Sequence, residues 1–202
     1  MKKWCVIIQG QSNHVPTLKE KWSGVDLIWS TWSNSNHLYT QDDVVISVDM
    51  PEEKGVNNLY LQKWSTLNGI MVAKQLGYTH VIKWRSDQYP TDSVKFIKLF
   101  DETKLTFLSA HENNGYPYLV DYFMGGSIED IELLWDIPNG EYKFPEEAIT
   151  QQLNRTGLNH KVEYVHTHLT ETNDVYWLGR DFTLSKMLKD DSHVYNSTLF
   201  KN

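Results

Sequence analysis

Residues 4–10 read Trp-Cys-Val-Ile-Ile-Gln-Gly. A short continuous apolar run closed by glycine is the pattern of a strand buried on both faces, as the strands of a parallel sheet are. The pattern returns downstream. Residues 25–32 (Val-Asp-Leu-Ile-Trp-Ser-Thr-Trp) and 44–48 are rich in β-branched and aromatic residues, and 81–84 is a further apolar run that leads into Arg85-Ser86-Asp87. Pro90 is expected to prevent any regular continuation of that strand.

Helical patterns lie between these runs. After a polar loop over 11–16, Thr17 and Glu20 stand in capping-box spacing and predict a short helix that closes near Gly24. Over 58–76, Leu61, Trp64, Leu67 and Met71 recur at three-to-four spacing, and Gly77 takes the helix-ending position, which predicts a long helix with that stripe as its apolar face. The second half predicts a helix over 91–100, strands over 105–109 and 118–123, and a helix opened by Ser127 and Asp130 with Ile128, Ile131, Leu134 and Trp135 on one face. Pro145 opens another helix, with Glu146 and Glu147 at its positive end. A late strand over 161–165 runs into His166-Thr167-His168, and a last helix lies near 184–188.

Strands alternating with helices imply an α/β fold: a mainly parallel sheet with right-handed crossovers, helices on both faces and ligands at the carboxyl ends of the strands. The expected architecture is Rossmann-like. With 202 residues, no repeat and no linker, the chain reads as one domain over 1–202, standing alone or within a longer chain.

Composition narrows the function. At 40% hydrophobic and 22% charged, the chain is far from the disordered class. No apolar run approaches the roughly 18 residues that span a bilayer, and none behind Lys2-Lys3 makes a signal core, so a cytoplasmic protein with at most peripheral membrane contact is expected. The single Cys5 sits in an apolar run and reads as a core residue, which makes redox chemistry improbable. A net charge of −7 speaks against a nucleic-acid partner. An anionic ligand would then be held by a few placed cations, backbone amides or a metal ion. The eight tryptophans and eleven tyrosines fill a core or stack on bases and sugars.

The carboxyl-end rule gathers Gln9-Gly10, Ser30-Thr31, Arg85-Ser86-Asp87 and His166/His168 into one neighbourhood. Taken alone, Arg85-Ser86-Asp87 reads first as a salt bridge or turn cap. As a site, its carboxylate could hold Mg²⁺ or Mn²⁺ against a diphosphate. His166 and His168, one residue apart, would face the same side of a strand, a spacing that suits a metal ligand at His168 but also arises by chance. Glu146-Glu147 complements the helix dipole, or supplies a general base for an attacking hydroxyl. Asp121 is a second acid at a strand end. Gly125-Gly126 beyond it permits close approach of a ligand, or a tight turn.

Together, V-I-I-Q-G, D-L-I-W-S-T-W, Q-K-W-S-T-L-N-G, V-I-K-W-R-S-D and V-D-Y-F-M-G-G-S, in that order, resemble the WavE-type lipopolysaccharide synthesis proteins, a glycosyltransferase family of the GT-A type. The resemblance spans roughly 6–134 and implies a nucleotide-sugar-dependent transferase of polysaccharide biosynthesis. It implies a UDP-sugar donor, a glycan or glycolipid acceptor and a Mn²⁺ or Mg²⁺ cofactor. Carried over by position, Gln9 and Gly10 lie against the nucleotide, Ser30, Thr31 and Trp32 border the base, and Gln62 and Ser65 face the site from the long helix. Arg85 and Asp87 take the place of the D-x-D motif, with Asp87 on the metal or donor. Glu147 is the first candidate for the base and Asp121 the second. The chain departs from the family at Gln11, where proline is usual, at Leu61, where arginine is usual, and at Arg85, which replaces the first acid of D-x-D. More of the phosphate contact then falls to Arg85.

Other classes are open. A sugar-phosphate nucleotidyltransferase would carry a lysine-containing glycine-rich loop after the first strand, and 9–14 (Gln-Gly-Gln-Ser-Asn-His) holds no Lys or Arg. A noncatalytic carbohydrate-binding module would use Trp29, Trp32, Trp64 and Trp84 on an all-β frame, and a scaffold role would need no nucleotide at all.

Overall fold

β1 (Lys2–Gln9) runs through a seven-stranded sheet, paired in parallel with β2 (Leu27–Trp32) on one side and β4 (Tyr78–Arg85) on the other. The computed structural model describes residues 2–11, 13–33, 39–113, 116–169, 173–178 and 183–190. β3 (Val44–Val48) extends the sheet beyond β2 in parallel. On the far side of β4 lies β9 (Phe123–Ser127), antiparallel to both β4 and β6 (Leu105–Phe107), and β10 (Val162–Tyr164) closes the edge parallel to β6. The order is β10-β6-β9-β4-β1-β2-β3. The fold is thus α/β with a mostly parallel mixed sheet flanked by helices, as expected. No helix of the described residues is long and apolar enough to cross a membrane.

Strand alternation divides the core into two layers. Cys5, Ile7, Ile28 and Val81 face α2 (Leu59–Gln75), α4 (Ile128–Trp135) and α5 (Pro145–Thr156). Val6, Ile8, Ile82 and Trp84 face the side of α1 (Val15–Lys21) and α3 (Ser93–Ile97). Aromatic rings fill that second layer: Trp84 stacks on Phe123 at 4.8 Å, with Trp22 and Phe96 edge-on to it at 4.9 and 5.3 Å. Most of the tryptophans are therefore core, and Trp29, Trp32 and Trp84 are buried.

Several expectations shift. α1 begins two residues before Thr17, because Pro16 fits the first helical turn, so Thr17 and Glu20 lie inside the helix. α3 is shorter than 91–100 and is capped by Asp92, whose side chain accepts from Lys95 N at 2.9 Å. In α2 the expected stripe is not the buried face: Trp64 is 51% and Met71 46% exposed, while Ser65, Thr66, Gly69, Ile70 and Ala73 are buried. The cause is close packing on β1. A Cβ at Gly69 would stand 2.4 Å from Ile7 Cγ2, so the face at this point takes only the smallest residue, and Trp64 and Met71 turn outward. Gly77 does end the helix, at φ +80°.

The strand expected over 118–123 is two elements. β8 (Tyr116–Leu119) forms a hairpin with β7 (Ala110–Asn113), and β9 enters the main sheet after a crossing at 120–122. Beyond β4, β5 (Gln88–Pro90) pairs with β11 (Val175–Trp177), so Pro90 ends an edge strand rather than forbidding one. α6 (Leu184–Asp190) ends the described chain.

Candidate functional site

At the carboxyl edge β1 ends at Gln9 and β4 at Arg85, in register with one another. The chain turns sharply at Gly10, φ +116°, where a Cβ would stand 2.8 Å from Ser86 Oγ. Only glycine serves both that dihedral and that approach. Above this floor opens a cleft of about 380 Å³, walled by Gln9, Gly10, Gln11, Asn13 and His14, by the first two turns of α2 and by the 85–87 turn. Gln9, Gly10, Trp32, Gln62, Ser65, Arg85 and Asp87, all named from the sequence, are among the residues that line it.

Ser30 and Thr31 sit beneath the cleft instead. Ser30 Oγ donates to Ser65 O at 2.6 Å and Thr31 Oγ1 to Gly10 O at 3.1 Å, so they hold its walls. Gly125 and Gly126 are placed elsewhere: they lie within β9, and added Cβ atoms would meet Phe100 at 2.4 Å and Lys104 O at 3.1 Å. Their smallness serves packing between sheet and loop rather than a ligand.

Arg85 and Asp87 form a two-bond ion pair, Nε to Oδ1 at 2.9 Å and Nη2 to Oδ2 at 2.7 Å. Burial works against both charges, but the paired bonds outweigh it: they hold the Asp87 carboxyl below the usual carboxylate range and the Arg85 guanidinium above its own. The Arg85 guanidinium also lies over the Tyr122 ring, 5.7 Å from its centroid.

Behind the cleft, on the Arg85 face of β4, lies Lys83, fully buried. Its Nζ donates to Asp121 O at 2.7 Å and to Gln62 Oε1 at 3.2 Å. Burial pushes its ammonium down to about 8, against the opposing pull of Asp121. Asp121, itself buried at the 120–122 crossing, acts on Glu146 from the start of α5. Burial first, and the Asp121 charge second, raise the Glu146 carboxyl to about 7, with Lys83 and Arg85 pulling the other way.

Glu147, the sequence's first choice of base, has another task. Its Oε2 accepts from Lys143 N at 2.6 Å, holding the turn that precedes α5. The sequence named Glu146 only as one of the acidic pair and did not single out Lys83. The phase of α5 decides which glutamate faces Asp121, and it is not readable from a pair of like residues. The period-two spacing of Lys83 and Arg85 in an apolar strand was the available signal.

The metal expectation at Asp87 and His168 meets a different geometry. Residues His166–His168 form a 3₁₀ turn after β10, so the two histidines do not share a strand face, and His168 is exposed and outside the cleft lining. Asp87 alone reaches the cleft. A hard cation that keeps most of its waters accepts one carboxylate plus substrate phosphate oxygens, so Asp87 fits a Mn²⁺ or Mg²⁺ ion shared with a diphosphate. Among the described residues no three His, Cys, Asp or Glu side chains converge into a cage.

A scan against protein-family models and a search of curated proteins both find no match for this chain.

Proposed function

We propose that the chain is a GT-A-type glycosyltransferase, of the WavE-like kind its motifs resemble, that takes a sugar from a nucleotide-diphosphate donor, a UDP-sugar favoured, to a hydroxyl of a glycan or glycolipid. One observation carries this reading: Gln9, Gly10, Trp32, Gln62, Ser65, Arg85 and Asp87, scattered over the sequence, converge on one polar cleft at the carboxyl edge of a mostly parallel sheet. Such edges are where α/β folds take nucleotides.

The arrangement suits the chemistry. The Arg85 guanidinium, prepaired with Asp87 and leaning on Tyr122, offers a rigid positive edge to a leaving diphosphate. A divalent cation on Asp87, when bound, would add charge neutralisation there. In a direct displacement the acceptor oxygen bonds to the anomeric carbon as the bond to the diphosphate breaks, and a carboxylate takes the hydroxyl proton. Glu146, its carboxyl raised to about 7 by burial and by Asp121, is the carboxylate we assign to that task, although it stands outside the cleft lining. The helices flanking the sheet are at odds with an all-β carbohydrate-binding module.

The test is release of free nucleotide from UDP-, GDP-, CMP- and dTDP-sugars in the presence of glycan acceptors. The reading expects turnover with one donor class, reduced at least about tenfold by Arg85→Ala. Absence of turnover with every donor, from folded protein, would contradict it.

A further inference from the structure

Lys83 poses a physical question. It is fully buried, yet among the described residues it makes no ion pair: the oxygens it bonds are neutral. In the orientation that satisfies every neighbour, the Gln9 amide oxygen accepts from Lys83 Nζ at 3.2 Å, while its NH₂ donates to Thr66 Oγ1 at 2.5 Å and Ser65 Oγ at 3.2 Å. The three ammonium hydrogens are thus matched to Asp121 O, Gln62 Oε1 and Gln9 Oε1. The Trp135 ring covers the remaining side, 5.0 Å from Nζ to its centroid. Burying a charge on neutral partners is costly, and an apolar side chain would fill the site at lower cost.

What the charge does achieve is orientation. Gln62 lines the cleft, and with Oε1 drawn inward to Lys83, its NH₂ is turned the other way and donates to no described residue. We propose that Lys83 is a positioning residue that, by drawing the Gln9 and Gln62 amide oxygens inward, fixes Gln62 as a hydrogen-bond donor toward the ligand. Together with Arg85, this makes the inner wall a donor surface, matched to a ligand that presents oxygen acceptors, as a nucleoside diphosphate does. The ligand's identity rests on the nucleotide-sugar reading; the amide orientation does not.

Two variants and two readouts test it. In ligand-free protein, the Gln9 and Gln62 side-chain amide ¹⁵N–¹H resonances should shift in Lys83→Met, and should shift in wild type as pH is raised through the Lys83 titration. With UDP as probe, Lys83→Met should weaken binding about tenfold or more. Gln62→Met keeps the size and adds no charge but removes the donor; it should weaken UDP binding at least as much, and Lys83→Met made in that background should weaken it no further. A purely structural lysine predicts that Gln62→Met binds UDP like wild type, or that Lys83→Met weakens binding equally in both backgrounds. Either result overturns the proposal. If Lys83→Met fails to fold, Gln62→Met and the wild-type pH titration decide. Wild type that binds no nucleotide refutes the nucleotide-sugar reading, while the resonances still judge Lys83.

Discussion

Glu146 is half-buried and stands near Asp121, so its protonated form is favoured, whereas Glu147 spends its carboxylate on Lys143 N. The two should separate cleanly by mutation. Glu146→Gln is expected to lower transfer by about 10²–10⁴-fold, the range of a general base. It should also stabilise the protein at pH 8, on the order of 1–3 kcal/mol, because the buried charge is gone. Glu147→Gln should leave transfer within about threefold and cost about 0.5–1.5 kcal/mol through the weakened turn bond. Steady-state kinetics and urea unfolding read both. The acidic pair was legible in the sequence as a candidate; which member stands nearer Asp121 was not, since helix phase is a tertiary fact. That Gln9, Gly10 and Asp87 would meet at one edge of the sheet was legible, because they stand at or just past the carboxyl ends of β1 and β4.

α2 shows how an element can be read correctly and turned the wrong way. Its extent and its end at Gly77 followed from spacing and glycine chemistry. Its face did not, because counting large apolar residues favours Trp64 and Met71, and the sheet accepts only Ser65, Thr66, Gly69 and Ala73 at close range. Gly69→Ala should therefore cost about 1–3 kcal/mol by forcing Ile7 aside. Met71→Ala, on the exposed face, should stay within about 0.5 kcal/mol. Urea melts with an unchanged slope would establish that these are stability effects alone. A Gly69→Ala protein as stable as wild type would mean that α2 does not approach β1 this closely. In β9, the double glycine was read as a ligand approach and is a packing device against Phe100 and Lys104.

For the whole molecule, the order of strands and helices implied the α/β layers and the carboxyl-edge cleft. The antiparallel β9 escaped notice because 118–123 reads as one run, whereas the structure divides it between β8, the 120–122 crossing and the first residue of β9. Buried Lys83 and half-buried Glu146 give the molecule a pH signature. Glu146, with a folded value near 7 against an ordinary 4.5, binds more protons folded than unfolded between those values, so its contribution makes stability fall as pH rises from about 4.5 to 7. Lys83, near 8 against 10.5, binds fewer protons folded, so its contribution makes stability rise from about 8 to 10.5. Denaturant melts across pH should show the first slope flattened in Glu146→Gln and the second in Lys83→Met; wild-type slopes in either variant would refute the burial assigned to that group. The most direct measurement of the account is calorimetric titration of UDP, GDP, CMP and dTDP into wild type and Asp87→Ala, with and without Mn²⁺. The account predicts tight binding of one nucleotide, strengthened by Mn²⁺ in wild type and not in Asp87→Ala. A folded protein that binds none of the four would contradict it.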